Sequence, residues 1–201
     1  MKKLTSFLFC CVLILSTGCA SQYMQPVVHS PSTAQLTPEQ SAIVFFRDTS
    51  FGGAIQAPIA ESVNNNVAFV GIVSANTKLL HKTAPGQHVY VVGGESSNLL
   101  FADLEPQKFY YVRVDPKMGL WKARFKFEPV IPGNAADLPD DLAGCKWVAP
   151  NTESQSWFAD NKASMQEKLN DALADDKKEG ATERVRLNKN DGLPNLIQDQ
   201  K

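Results

Sequence analysis

Between Ser41 and Val130 the chain alternates apolar and polar side chains with a period of two, interrupted by turn residues every eight to twelve positions. The runs are Ala42–Asp48, Ile55–Ser62, Val67–Ser74, Lys78–Thr83, Gln87–Val92, Asn98–Leu104, Phe109–Asp115 and Leu120–Glu128, all rich in β-branched and aromatic residues. Gly52-Gly53, Asn64-Asn65-Asn66, Pro85-Gly86, Gly93-Gly94, Glu105-Pro106 and Pro116–Gly119 separate them. Short strands at this spacing predict a mainly β fold, an antiparallel sandwich or barrel, and about ninety residues for seven or eight strands suit a sandwich. Pro58 cannot donate to a ladder, which predicts an edge position for its strand.

Beyond the β region the sequence changes in kind. Residues 131–150 are rich in Pro, Gly and Asp and read as a loop. Asn151–Lys178 carries Phe158, Met165, Leu169 and Ala172 at steps of seven, four and three, the stripe of an appended C-terminal amphipathic helix over 151–180. Thr152 and Gln155 have the spacing of a capping box, and Gly180 is placed to end the helix. The stripe is narrow, so the helix docks either on the sandwich or on a partner. Residues 181–201 read as a polar, frayed tail.

The amino terminus is a targeting segment in appearance. Lys2-Lys3 precedes the apolar run Leu4–Leu15. Twelve helical residues at about 1.5 Å each span roughly 18 Å, short of a hydrocarbon core of ~30 Å. A cationic start, a short apolar middle and small residues after it are the layout of a secretory signal over 1–18. Ser16-Thr17-Gly18-Cys19 resembles the lipobox of bacterial lipoproteins, although Ser16 stands where that family prefers leucine. The resemblance implies cleavage before Cys19, diacylglycerol on its thiol, acylation of the new amine and, since Ala20 is not aspartate, a place on the periplasmic face of the outer membrane. Two or three acyl chains anchor stably where one is marginal. Residues 19–40, with three prolines and no formal charge before Glu39, read as the acylated cysteine and a flexible tether reaching about 25 Å.

Cys10 and Cys11 leave with the signal and Cys19 is acylated, so Cys145 has no partner for an internal disulfide. It is either a small buried hydrophobe or a thiol that pairs between chains. With 20 basic against 21 acidic side chains, bulk charge recruits neither nucleic acid nor acidic lipid. Within residues 108–126, however, six basic side chains face one acid, Asp115. Alternation sets Lys122, Arg124 and Lys126 on one face of their strand and Trp121, Ala123, Phe125 and Phe127 on the other. Lys122, Arg124 and Lys126, with Arg113 and Lys117, form a candidate surface for an anionic glycan or an acidic protein. The competing reading is a solvated face whose cations blunt a sheet edge.

Catalytic motifs are absent: no nucleophile elbow, zinc-protease helix, P-loop or dinucleotide fingerprint occurs. His81 and His88 flank Pro85-Gly86, and a two-residue hairpin there would set them diagonally, about 7–8 Å apart. Without a carboxylate or thiolate beside them they make a poor metal site and read as surface histidines. Asp137–Asp141 lacks the spaced oxygens and glycine of a calcium loop. No catalytic residue, metal or cofactor is expected.

Ile43–Arg47, Thr83–His88, Leu104–Val112 and Gly119–Trp121 stand where a bacterial domain family of unknown function, number 2846, carries its first strand, its T-x-P-G-x-H turn, its tyrosine-pair strand and its G-x-W element. The chain resembles that family over about residues 41–130, with Lys108 where a glycine is frequent. The resemblance implies an immunoglobulin- or transthyretin-like sandwich, commonly secreted or lipid-anchored, used as an accessory binding module without catalytic residues. The expectation is a non-enzymatic envelope module with a protein partner. Its rival is a structural lipoprotein that holds peptidoglycan or lipopolysaccharide through the basic face.

Overall fold

A computed structural model describes residues 23–27, 31, 35–53, 55–118, 124–179 and 184–197. Cys19, expected to be acylated, the expected signal segment, Lys122, Trp121 and Gly180 lie outside the described residues. Two β-sheets face each other, one helix covers the outer side of the second sheet, and short segments cover the outer side of the first. The fold is mainly β, with eleven strands among the described residues.

Sheet order follows from which strands are apolar on both faces. In the first sheet the order is β1 (Met24–Pro26), β10 (Lys146–Pro150), β5 (Thr77–Thr83), β2 (Ser41–Arg47), β8 (Phe109–Lys117), β9 (Arg124–Pro129). In the second it is β11 (Val185–Leu187), β7 (Asn98–Leu104), β6 (Gly86–Val92), β3 (Ala57–Val63), β4 (Asn66–Val73). All seven residues of β2 are buried. Ile43 and Phe45 point between the sheets, while Ala42, Val44 and Phe46 point to the outer layer.

The expectation of purely antiparallel sheets is corrected. β2 pairs parallel to β8, β10 parallel to β5, and β11 parallel to β7. The run Ala-Ile-Val-Phe-Phe carries no real alternation, and a continuous apolar run is the mark of a strand buried on both faces, the environment of parallel pairs. β3 is also not an edge: it lies between β6 and β4. Pro58 stands one step beyond the β3–β6 ladder, where its carbonyl accepts from Gly93 N–H at 2.9 Å and no donor is required of it.

Three stretches expected to be irregular carry strands. Met24–Pro26, inside the expected tether, pairs with β10, and Leu36 is buried in the outer layer. Residues 131–150 contain helix α1 (Leu138–Ala143) and β10. In the expected tail, β11 pairs with β7, Tyr110 Oη donates to Lys189 O at 3.2 Å, and Ile197 N–H donates to Tyr111 Oη at 2.7 Å. Apolar side chains of these segments, Leu138, Leu142, Trp147 and Leu196, cover Val44, Phe46 and Tyr111. A two-sided apolar strand needs that cover, because exposed hydrocarbon costs about 25 cal/mol per Å2.

Helix α2 (Thr152–Glu179) forms where the stripe predicts it, and Phe158, Met165 and Leu169 are buried against Ala60, Val91 and Leu99 of the second sheet. Of the two placements left open by its narrow stripe, the sandwich is the one observed. Its cap differs from the expected pair: Asn151 Oδ1 accepts from Ser154 N–H and Ser154 Oγ accepts from Asn151 N–H, both at 2.9 Å. The Asn64-Asn65 turn joins β3 to β4 with φ of 49° and 64°, the left-handed pair that a two-residue hairpin requires.

Candidate functional site

Arg113, Lys117, Arg124 and Lys126 share one outward face of β8 and β9, but acids occupy it too. The antiparallel register sets Arg113 opposite Glu128, Asp115 opposite Lys126, and Lys117 opposite Arg124. Lys117 pairs closely with Asp115 and lies 3.6 Å from Glu128. Arg124 reaches Glu95 at 3.3 Å. Arg113 is held by Asp48 at 3.0 Å and closely by Asp141. Burial works against the Arg113 guanidinium, yet its bonds to Asp48 and the charges of Asp48 and Asp141 hold its pKa above the usual value. Four of these acids lie outside residues 108–126, so the window that looks basic in sequence is largely balanced in space. Cys145 is buried beside this region, its Sγ 3.4 Å from Asp141 O, the environment of a small packed hydrophobe.

The histidines are not a surface pair. β5 and β6 belong to different sheets, so Pro85-Gly86 is a crossing between layers and no hairpin forms. Glu61 of β3, which sequence reasoning missed, stands between them. His88 Nδ1 donates to Glu61 Oε1 at 2.6 Å and Nε2 donates to Ala84 O at 2.9 Å. An acceptor faces each ring nitrogen, so the site favours the imidazolium form of His88. His81 Nε2 lies 3.4 Å from Glu61 Oε2, and both rings pack on Tyr90. Side-chain exposure is 18% for His81, 12% for His88 and 13% for Glu61, so the cluster fills one end of the space between the sheets. Burial pushes the Glu61 carboxyl up, but hydrogen bonds and charge from both histidines outweigh it and bring it down to about 2. The bond to Glu61 raises His88. Burial and the Glu61 charge push the Tyr90 phenol far above its ordinary value.

At the opposite end of the sandwich lies a cleft of about 240 Å3. Its walls are Ile55 just before β3, Pro58 near the start of β3, Gly93-Gly94 after β6, Phe125 of β9, and Trp157 and Met165 of α2. Arg47, fully buried at the end of β2, builds the wall that carries Ile55. Its guanidinium donates to Ile55 O at 2.7 Å, to Gly52 O at 2.9 Å and to Phe51 O, and stacks over Phe125. A Cβ on Gly93 would meet Met165 Sδ at 2.9 Å and Pro58 Cγ at 3.2 Å, so glycine lets these lining residues close on one another. Lys168 Nζ donates to Gly94 O at 2.8 Å, and Asn161 and Ser164 sit at the rim. Among the described residues lining the cleft, Lys168 is the one titratable side chain.

What these sites can do differs. Among the described residues lining it, the cleft has no carboxylate, imidazole or thiol for proton transfer or attack. In the His81–Glu61–His88 cluster His88 is bonded to Glu61 and to Ala84 O, whereas His81 Nε2 is buried 3.4 Å from Glu61 Oε2 without a hydrogen bond. No group of three or more acidic, histidine or cysteine side chains among the described residues is placed to hold a metal ion. No helix among them is long and apolar enough to cross a membrane. Comparison with known family profiles, with characterised protein sequences and with solved structures finds no significant match to this chain.

Proposed function

We propose that this protein is a cell-envelope lipoprotein, anchored through acylated Cys19 on the periplasmic face of the outer membrane, that binds a protein partner and catalyses no reaction. The observation that supports a binding role is the cleft between α2 and the sandwich end. Its lining is mostly apolar, and its 240 Å3 decides the size of what enters. An engineered cavity of about 150 Å3 takes benzene, whereas pockets for drug-sized ligands run roughly 300–1,000 Å3. One aromatic or branched side chain of another protein fits between these limits. The rival, a structural lipoprotein gripping an anionic glycan, loses support because its cations face Asp48, Glu95, Asp115, Glu128 and Asp141. The resemblance to family 2846, with its sandwich of immunoglobulin or transthyretin type, is consistent with an accessory module.

The test is photo-crosslinking in intact cells from a reactive residue at Ser164, an exposed rim position. A discrete protein adduct that disappears when Asn161→Trp fills the cleft mouth is the expected result. Wall or glycan material in place of protein would return the weight to the structural reading.

A further inference from the structure

We infer that the flank of the sandwich formed by β1 and the first half of α2 rests directly on the bilayer, with Tyr23 and Trp157 at the lipid–water boundary. This rests on the lipid-anchored reading of Cys19.

Chain length sets the constraint. A spacer of about twenty flexible residues would hold the domain some 25 Å from the lipid. That spacer does not exist, because Met24, Gln25 and Pro26 are in register with Pro150, Ala149 and Val148 of β10. Between an acylated Cys19 and Tyr23 there are three residues, Ala20, Ser21 and Gln22. Four Cα-to-Cα links span at most about 14 Å at full extension. The first sheet, with six strands about 4.8 Å apart and β1 at its edge, is wider than that, so the β1 edge is held beside the membrane whatever path those residues take.

The side chains at that edge suit the position. The Tyr23 ring packs on the Trp157 ring with centroids 6.2 Å apart, and both rings are half-buried. Tyrosine and tryptophan are the residues enriched where one end of a side chain is apolar and the other wet, at membrane interfaces above all. Gln25 beside them is exposed and uncharged. Trp157 also lines the cleft, so a partner side chain entering it does so next to the bilayer. The partner is then a membrane protein or one that itself lies on the membrane. The far side of the sandwich, where β9 meets β11 and Lys189 is exposed, faces away.

The experiment uses the acylated full-length protein in vesicles of phosphatidylethanolamine and phosphatidylglycerol. A photoreactive residue replaces Gln25 in one variant and Lys189 in another, both exposed positions that tolerate the change. Lipid adducts from position 25 and none from position 189 are the expected outcome. Inserting about ten Gly/Ser residues between Ser21 and Gln22 adds roughly 17 Å of reach and should greatly reduce the adduct at position 25. If the protein is acylated and floats with vesicles, but position 25 gives no lipid adduct or both positions give it equally, the inference is wrong while the anchor stands. If the protein is not acylated and does not float, the anchor reading fails and this inference falls with it.

Discussion

The two ends of the sandwich solve the same packing problem with opposite chemistry. At one end the space between the sheets is filled by Glu61, His81, His88 and Tyr90, a titratable cluster that joins β3 and β6 to β5 across the layers. At the other, a buried guanidinium is spent on backbone carbonyls and what opens to solvent is hydrocarbon. At the first end Glu61 and His88 satisfy each other and join the two layers as a clasp, although His81 Nε2 and Tyr90 Oη beside them are buried without a hydrogen bond. The second end leaves apolar surface unmatched, so it is where binding is expected. Polar residues at a sandwich end therefore need not mark function, and an arginine there can serve the shape of an apolar site.

Breaking the Arg47 support should have the largest effect. Arg47→Met keeps much of the side-chain volume but removes the donors to Phe51, Gly52 and Ile55 carbonyls. A hydrogen bond from a charged donor contributes about 1.5–3 kcal/mol, and part is recovered because Phe51 and Ile55 are exposed and Gly52 O still accepts from Ile55 N–H, so a loss of about 3 kcal/mol in denaturant unfolding is expected. The Ser164 adduct should vanish as the Ile55 wall moves, while the His88 ring signals by NMR stay where they were. A change at both ends would show that they are not independent.

The clasp end is expected to answer to pH, and the sign differs for its two partners. Glu61 has a folded pKa of about 2 against an ordinary 4.5, so its contribution is present above pH 4.5 and is lost as pH falls towards 2. His88 is raised from 6.5, so its contribution is present below pH 6.5 and is lost as pH rises through the raised value. The clasp is complete between about pH 4.5 and 6.5. His88→Gln should cost about 1–2 kcal/mol in that window, shrinking at alkaline pH, and Glu61→Gln should cost a similar amount that shrinks towards pH 2. A cost for either variant that is flat from about pH 3 to 9 would show that the cluster is held by packing rather than charge.

Most of the sandwich and its covering helix were legible in the chain, because each rests on local periodicity. The strands expected within 41–130 are present in the described residues with small shifts of their ends, and Phe158, Met165 and Leu169 lie where the stripe put them. What was not legible depends on distance along the chain. The parallel pairing of Ala42 with Phe109 joins residues 67 positions apart, and nothing in either run encodes its partner. β1 and β11 are three residues each, shorter than any window in which a period can be counted. Glu61 is 20 residues before His81 and 27 before His88, so a histidine pair judged by its neighbours looked unaccompanied. The Arg47 end of β2 was visible as a motif, but its carbonyl partners belong to a loop without a side-chain signal.

A smaller effect sharpens the reading of the cleft. Gly93→Ala places a methyl group against Met165 and Pro58, and the thioether is flexible enough to yield. A cost of about 1 kcal/mol is expected, with a weaker Ser164 adduct in place of a lost one. Gly93→Val should abolish the adduct at a somewhat higher cost than Gly93→Ala. An unchanged adduct in both variants would move the partner's contact away from the cleft floor.

The smallest effect is expected on the charged face of β8 and β9, and its smallness weighs against a glycan site. Arg124 and Lys126 are exposed, one 3.3 Å from Glu95 and the other across from Asp115. Exposed pairs of this kind contribute about 0–1 kcal/mol, since water screens the attraction and the side chains lose freedom in meeting. The double variant Arg124→Gln, Lys126→Gln should change unfolding stability by less than about 0.5 kcal/mol and leave retention on an anionic polysaccharide column unaltered. Steep, salt-dependent loss of retention would mean that the cations act together on an external anion in spite of their acidic neighbours. Their pairing predicts the reverse, because an anion that binds here must displace carboxylates already in place or sit beside them, and like charges brought together on one sheet face oppose binding.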